Sequence, residues 1–308
     1  MSSTVDAAEL TLLTDTLRKT MATATGAELY PALCDLGWHD LLTGADTADI
    51  AVSSVFRLLG ETGSHAPLLN DVLAHATGRP FGEPVPLPFS GGRWLLWSET
   101  ADAAPSTDPR NESPPRQQRN DHVVLLDPEL PLHAAGEPTE PLATLAAPLA
   151  AGRRALGWWL TGSARAMLAL ARRHALEREQ FGKPVAGFQA IRHRLAETLV
   201  AIEGAEAALT LEPADAHHPA HPASAVPQDY DALAASLAKA AAGRAALVTA
   251  RHCQQVLGGI GFTAEHEFHR HYRRVLVLDG LLGSARDLTR EAGATLRALG
   301  YAPRLAQL

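Results

Sequence analysis

Apolar residues recur at helical spacing over most of this chain. Leu10, Leu13, Leu17 and Met21 predict a helix over 7–25. A second is expected over 27–42, broken near Gly37–Trp38, and a third over 47–60 with Val52, Val55, Phe56, Leu58 and Leu59 as its apolar members. A fourth covers 66–76. Residues 1–78 therefore read as a small all-helical domain.

The pattern changes at Gly78. Pro80, Pro84, Pro86 and Pro88 forbid a continuous helix. Short strands are expected at 93–98 and 122–126. Between them, residues 99–121 are rich in Pro, Ser, Asp, Asn and Arg and predict an exposed, disordered loop. The stretch 79–140 is thus a reduced β segment with no room for a full barrel.

Helical periodicity returns in 141–308. A long helix is expected over 142–176 and a second over 184–211, with Val185, Phe188, Ile191, Leu195, Leu199 and Ile202 on one stripe. A Pro- and His-bearing loop at 213–227 leads to an Ala-rich helix over 230–257. A last helix spans 286–299, after the segment 270–284. Four long antiparallel helices predict a bundle, and the fold class is mainly α.

Composition narrows the function. Aromatic residues make up only 5% of the chain, which favours close-packed helices over sheets. A formal charge of −7 argues against nonspecific nucleic-acid binding. Cys34 and Cys253 lie far apart and suggest no disulfide framework, so a reducing cytoplasm is the expected setting. The N-terminal residues carry no basic-then-apolar leader pattern. The most apolar region is interrupted by Arg153, Arg154, Arg165, Arg172 and Arg173, which argues against a membrane span.

Two stretches carry candidate chemistry. In 177–189, Gly182 stops one helix and Pro184 restarts the next, so Arg178 and Lys183 lie beside uncapped N–H groups. That is a seat for a phosphate, or an ordinary connection whose cations neutralise a helix end. In 254–262, three glycines within four residues end a helix and leave bare backbone that a phosphate or adenine could approach. A plain glycine cap would need only one of them.

The string Arg178, Gln180, Phe181, Gly182, Lys183, Pro184, Phe188 and Gln189 resembles the signature of the acyl-CoA dehydrogenase family. In that family the Arg and the polar-Phe pair contact the FAD pyrophosphate of a neighbouring subunit, and the Gln at the Gln189 position lies near the adenine. The string from Gln254 to Phe262 resembles the family's Gln-x-x-Gly-Gly-x-Gly-Phe motif, with Gln255, Gly258 and Gly259 matching its FAD contacts. The A-S-L-A-K string ending at Lys239 also matches, and the likeness runs from about Leu142 onward. The N-terminal quarter resembles the family's helical domain loosely.

The resemblance fails at the acid–base chemistry. Family members remove an α-proton of an acyl-CoA with a carboxylate while the flavin takes the β-hydride. Counting 24 residues on from Gly258 places Leu282 at the usual base position. Some members carry the base on the first bundle helix, where this chain has Gly152 beside Arg153. Neither residue accepts a proton. Asp279, in an apolar run, is the one weak substitute. The family's middle domain carries a Thr-Glu-Pro, then Gly-Ser-Asp segment over the flavin, and no such paired segment occurs here.

His217, His218 and His221 sit in a loop, while His266, His269 and His271 follow the glycine motif in a string that misses the H-E-x-x-H spacing by one residue. No metal site is expected. Arg273 and Arg274 match a charged helix start, and Trp158 and Trp159 are expected in the core or an interface. The resemblance implies a subunit that lends Arg178, Gln180, Phe181, Gln189, Gln255, Gly258 and Gly259 to a shared FAD. A homologous catalytic subunit would supply the carboxylate, as in actinobacterial heteromeric enzymes acting on bulky acyl-CoA thioesters such as steroid side chains. The alternatives are a self-sufficient homo-oligomer using Asp279 and a flavin-free helical scaffold.

Overall fold

The computed structural model describes residues 7–98, 126–139, 145–211 and 227–301. The N-terminal part holds α1 (Ala7–Thr23), α2 (Leu29–Asp35), α3 (Trp38–Thr43), α4 (Ala48–Thr62) and α5 (Leu68–Thr77). The break expected near Gly37 is real: its φ of +89° lies in the left-handed region, ending α2 and turning the chain into α3.

The middle segment is a three-stranded antiparallel sheet: β1 (Leu87–Phe89), β2 (Arg93–Trp97) and β3 (Leu132–Ala135), in the order β1-β2-β3. Only β2 is legible in the sequence. Pro88 disguises β1, yet it sits on an edge strand where a missing N–H is tolerated. The strand expected at 122–126 and the loop at 99–121 fall outside the described residues, apart from Leu126.

The C-terminal part contains α6 (Ala146–Glu177), β4 (Glu179–Gln180), β5 (Lys183–Pro184), α7 (Gln189–Leu209), α8 (Pro227–Leu257), α9 (Phe268–Gly280) and α10 (Ala285–Leu299). Helices α6, α7, α8 and α10 are the four expected. Helix α9 comes from the stretch left unassigned, because its charged start (H-R-H-Y-R-R) masks the stripe of Phe268, Val275 and Leu278. The expected helix at 184–211 is corrected: Pro184 belongs to a strand, a 3₁₀ turn spans Val185–Gly187, and α7 begins at Gln189.

Buried residues of all three parts form one continuous core. Helix α4 crosses α6 at backbone contact. A Cβ on Gly60 would sit 2.4 Å from the Trp159 carbonyl oxygen, and one on Gly162 would sit 2.1 Å from that of Arg57. Trp159 is fully buried against Trp97 and Phe56, as a core aromatic should be. Arg274, also buried, pairs with Asp127 and donates to the Gly63 and Ser64 carbonyls at 3.2 Å each. That one guanidinium ties the N-terminal part, the sheet segment and α9 together. Among the described residues, no helix is long and apolar enough to cross a membrane.

Candidate functional site

The two sequence motifs meet at one end of the bundle. Helix α6 ends at Glu177, and β4 pairs with β5 through Glu179↔Pro184 and Gln180↔Lys183. Phe181 and Gly182 form the turn, with φ of +53° and +76°. Two consecutive positive φ values are what a tight two-residue hairpin requires. The stop-and-restart between helices expected from Gly182 and Pro184 is therefore a hairpin.

The hairpin pushes Phe181 into solvent, where it is 91% exposed and meets Phe188 edge-on at 6.2 Å. Lys183 Nζ lies 4.4 Å over the Phe188 ring. Arg178 and Gln180 are exposed, and the Arg178 guanidinium makes no hydrogen bond or ion pair among the described residues. Gln189 is exposed at the start of α7, which opens without a side-chain cap. Its Nε2 lies 3.4 Å from His193 Nε2.

The glycine motif follows α8. Gln255 is exposed on its last turn, and Gly258 to Phe262 form a 3₁₀ turn. Gly258 has φ +62°, a conformation that explains its lack of a side chain. Gly259 has neither excuse: its φ is ordinary and an added Cβ would meet nothing within 4 Å. No internal packing asks for glycine there, and its backbone is open to solvent.

Contacts join the two motifs. Arg173 Nη2 on α6 reaches within 3.9 Å of Glu267 Oε2, just past the glycines. His174 is held below the usual histidine range by burial and by the charge of His266. Thr198 Oγ1 on α7 lies 2.9 Å from His252 Nδ1 on α8. Arg178, Gln180, Phe181, Gln189, Gln255, Gly258 and Gly259 are thus placed on one end of the bundle, with exposed Ile260 and Phe262 beside them.

The two positions where a base was sought also converge. A Cβ on Gly152 would lie 2.6 Å from Leu282 Cδ1, 3.1 Å from Leu73 Cδ2 and 3.6 Å from Leu69 Cδ1. Leu282 is buried, and the space between the two seats is filled with aliphatic carbon. Its backbone is left-handed at φ +54°, unusual for a branched side chain. Four contacts hold the loop there. Leu282 N donates to Pro88 O at 2.8 Å, and Arg153 Nε donates to Leu282 O at 3.0 Å. Lys239 Nζ donates to the carbonyls of Asp279 at 3.0 Å and Gly283 at 2.6 Å. Burial pushes the Lys239 ammonium down to about 7, with Asp279 opposing.

Asp279 does not stand free. Its Oδ1 accepts from Ala285 N at 3.0 Å and presses on Gly243, where a Cβ would lie 2.3 Å away. It caps the loop into α10. Arg153, Lys239, Leu69 and Leu73 were not singled out as the frame of this seat. Two signals pointed to it: a charged residue beside Gly152 in an apolar helix, and a lysine within an Ala-rich one. Of the histidines, His271 is buried, His266 accepts from Phe268 N at 3.1 Å, and the 217–221 group lies outside the described residues. No three metal ligands come together among the described residues.

Residues 142–290 match the model of the acyl-CoA dehydrogenase C-terminal domain. Acyl-CoA dehydrogenase FadE34 of Mycobacterium tuberculosis is 32% identical over 260 residues, covering 83% of this chain and 33% of FadE34. The chain spans between 33% and 49% of the length of the first curated relatives it matches. In fold it resembles the Tcur3481-Tcur3483 steroid ACAD (TM-score 0.64, 22% identity, covering 95% of this chain and 98% of that one). It also resembles the ChsE4-ChsE5 complex of Mycobacterium tuberculosis (TM-score 0.60, 19% identity, covering 98% and 100%). On its sequence motifs, its helical architecture and these matches, the chain belongs to the acyl-CoA dehydrogenase family.

Proposed function

We propose that this chain is a subunit of an FAD-dependent acyl-CoA dehydrogenase that lends cofactor contacts to a site completed by a homologous catalytic partner. The observation that carries this reading is the sealed seat. Both positions for the base are apolar, and Leu282 fills the space over Gly152. Proton abstraction needs a basic group within hydrogen-bonding reach of the substrate; this seat offers no carboxylate, and its one amine, Lys239, is committed to the Asp279 and Gly283 carbonyls.

The bundle end fits a dinucleotide. Arg178 presents an uncommitted guanidinium suited to a pyrophosphate, and Gly258 and Gly259 present backbone without a Cβ in the way. Gln180, Gln189 and Gln255 add exposed amides, and Phe181 an exposed ring. Because these groups face outward, they suit a cofactor shared with a second polypeptide. A bound flavin would supply the hydride acceptor for the β-carbon of an acyl thioester. This chain's residues bind and orient it, while the partner supplies the carboxylate. The relatives that act on steroids or form two-component complexes support a bulky acyl-CoA substrate and a hetero-oligomer.

Expression alone and with a longer relative carrying the carboxylate tests the proposal. The chain alone is expected to be colourless and inactive; the pair, yellow and active. Yellow, active protein from this chain alone would establish the self-sufficient reading instead. A colourless pair would leave a scaffold.

A further inference from the structure

Behind the Leu282 loop lies an open cleft, away from the bundle end proposed for the flavin. It measures about 270 Å³ and lies between α6, α8 and α10. Arg153 and Ser236 form its floor, Leu233, Ala292 and Leu299 its aliphatic walls, and Glu291 its rim.

The floor is fixed on its inner side and faces the cleft on its outer side. Arg153 Nε donates to Leu282 O, and Nη1 donates to Ser236 Oγ at 2.7 Å. Ser236 in turn donates to Ala232 O at 2.6 Å, so its hydroxyl fixes the guanidinium and has no proton to spare. Nη2 has no hydrogen-bond acceptor among the described residues. The nearest carboxylate is Glu291 at 3.6 Å, too far for a hydrogen bond, and its side chain is 59% exposed against 10% for Arg153. Nη2 faces the cleft in a loose ion pair with an exposed carboxylate, which an entering anion can replace with a closer, hydrogen-bonded contact.

We infer that this cleft binds a small aliphatic carboxylate, its acid group on Arg153 Nη2 in place of Glu291 and its tail along Leu233, Ala292 and Leu299. The chemistry follows from the lining: one buried cation at the floor, and above it aliphatic carbon bordered by Tyr230 and Thr295. The volume, about nine times the ~30 Å³ share of a water in the liquid, admits a short-chain acid such as a six-carbon one. A free acid fits this lining where a thioester does not, because a thioester lacks the charge. The site therefore stands independently of the flavin proposal.

Titration of the full-length chain with hexanoate, followed by calorimetry, tests the inference, with acetate and hexan-1-ol as controls for charge and tail. Saturable binding in the millimolar range is expected, about tenfold tighter than either control. Glu291→Gln removes the competing carboxylate from an exposed position without disturbing the fold, and should tighten hexanoate by roughly threefold. Leu299→Ser should weaken it by about fivefold. Absence of saturable binding to both the wild type and E291Q would overturn the inference. So would hexan-1-ol binding as well as hexanoate, or E291Q leaving the affinity unchanged.

Discussion

Leu282 Cδ1 stands 2.6 Å from where a Cβ on Gly152 would be, so each of these residues limits what the other can become. Gly152→Ala must displace a buried leucine that Leu69 and Leu73 confine. It should lower stability by about 1–3 kcal/mol, as overpacking does. The double variant G152A/L282A should be more stable than the sum of the single effects, because the alanine methyl then occupies vacated space. Denaturant midpoints check both, and strict additivity would mean that the two side chains do not meet.

Acid should loosen the junction between the three parts of the chain. Burial, aided by Arg274, pushes both His65 and His271 down to about 4. A histidine depressed in the folded state binds its proton more readily when unfolded. Stability is therefore full above the ordinary histidine range near 6.5 and is lost as pH falls toward 4. The loss should approach about 3 kcal/mol per histidine. Urea unfolding at stepped pH measures it. His271→Gln should flatten the slope, and an unchanged slope would remove His271 from the account.

The proposed cofactor contacts can be separated from the fold. Arg178→Ala, in the assembled pair, should weaken flavin retention by roughly 1.5–3 kcal/mol, the worth of a charge-assisted contact. Gly259→Val gives a sharper contrast. Open space around Gly259 predicts a stability change within about 0.5 kcal/mol, yet a branched side chain should obstruct whatever approaches the motif. Flavin release and thermal unfolding, measured on the same sample, read the two effects. Loss of stability with flavin retention intact would assign Gly259 to packing instead.

How far the sequence revealed this protein differs by site. The glycine run at Gly258 and the Arg-x-Gln-Phe-Gly string are local, so residue order alone placed them. That both lie at one end of the bundle depends on α6 running past the end of α8, which only the fold shows. Phe181 and Gly182 misled in a specific way. Gly and Pro between helical stripes read as stop and restart, and the intervening hairpin is too short for strand periodicity to register. Strands β1 and β3 were hidden for the same reason, and Pro88 argued against β1 outright. The emptiness of the base positions was legible from counting. What fills them was not, because Leu69 and Leu73 reach Gly152 from α5, some eighty residues away.

The framing of the Leu282 loop can be probed without touching the bundle end proposed for the flavin. Leu282→Ala should cost about 2–4 kcal/mol of stability through the cavity it leaves. Turnover of the assembled pair should remain within a few fold, since an aliphatic side chain cannot take up a proton. A collapse of turnover with folding preserved would give Leu282 a role in the chemistry.

The split site is tested most directly by counting flavins in the purified pair, from the ratio of flavin to protein, alongside the isolated chain. The account predicts about one FAD for each pair of unlike chains and none on this chain alone. Two flavins per pair, or an isolated chain that holds its own flavin and oxidises acyl-CoA, would contradict it.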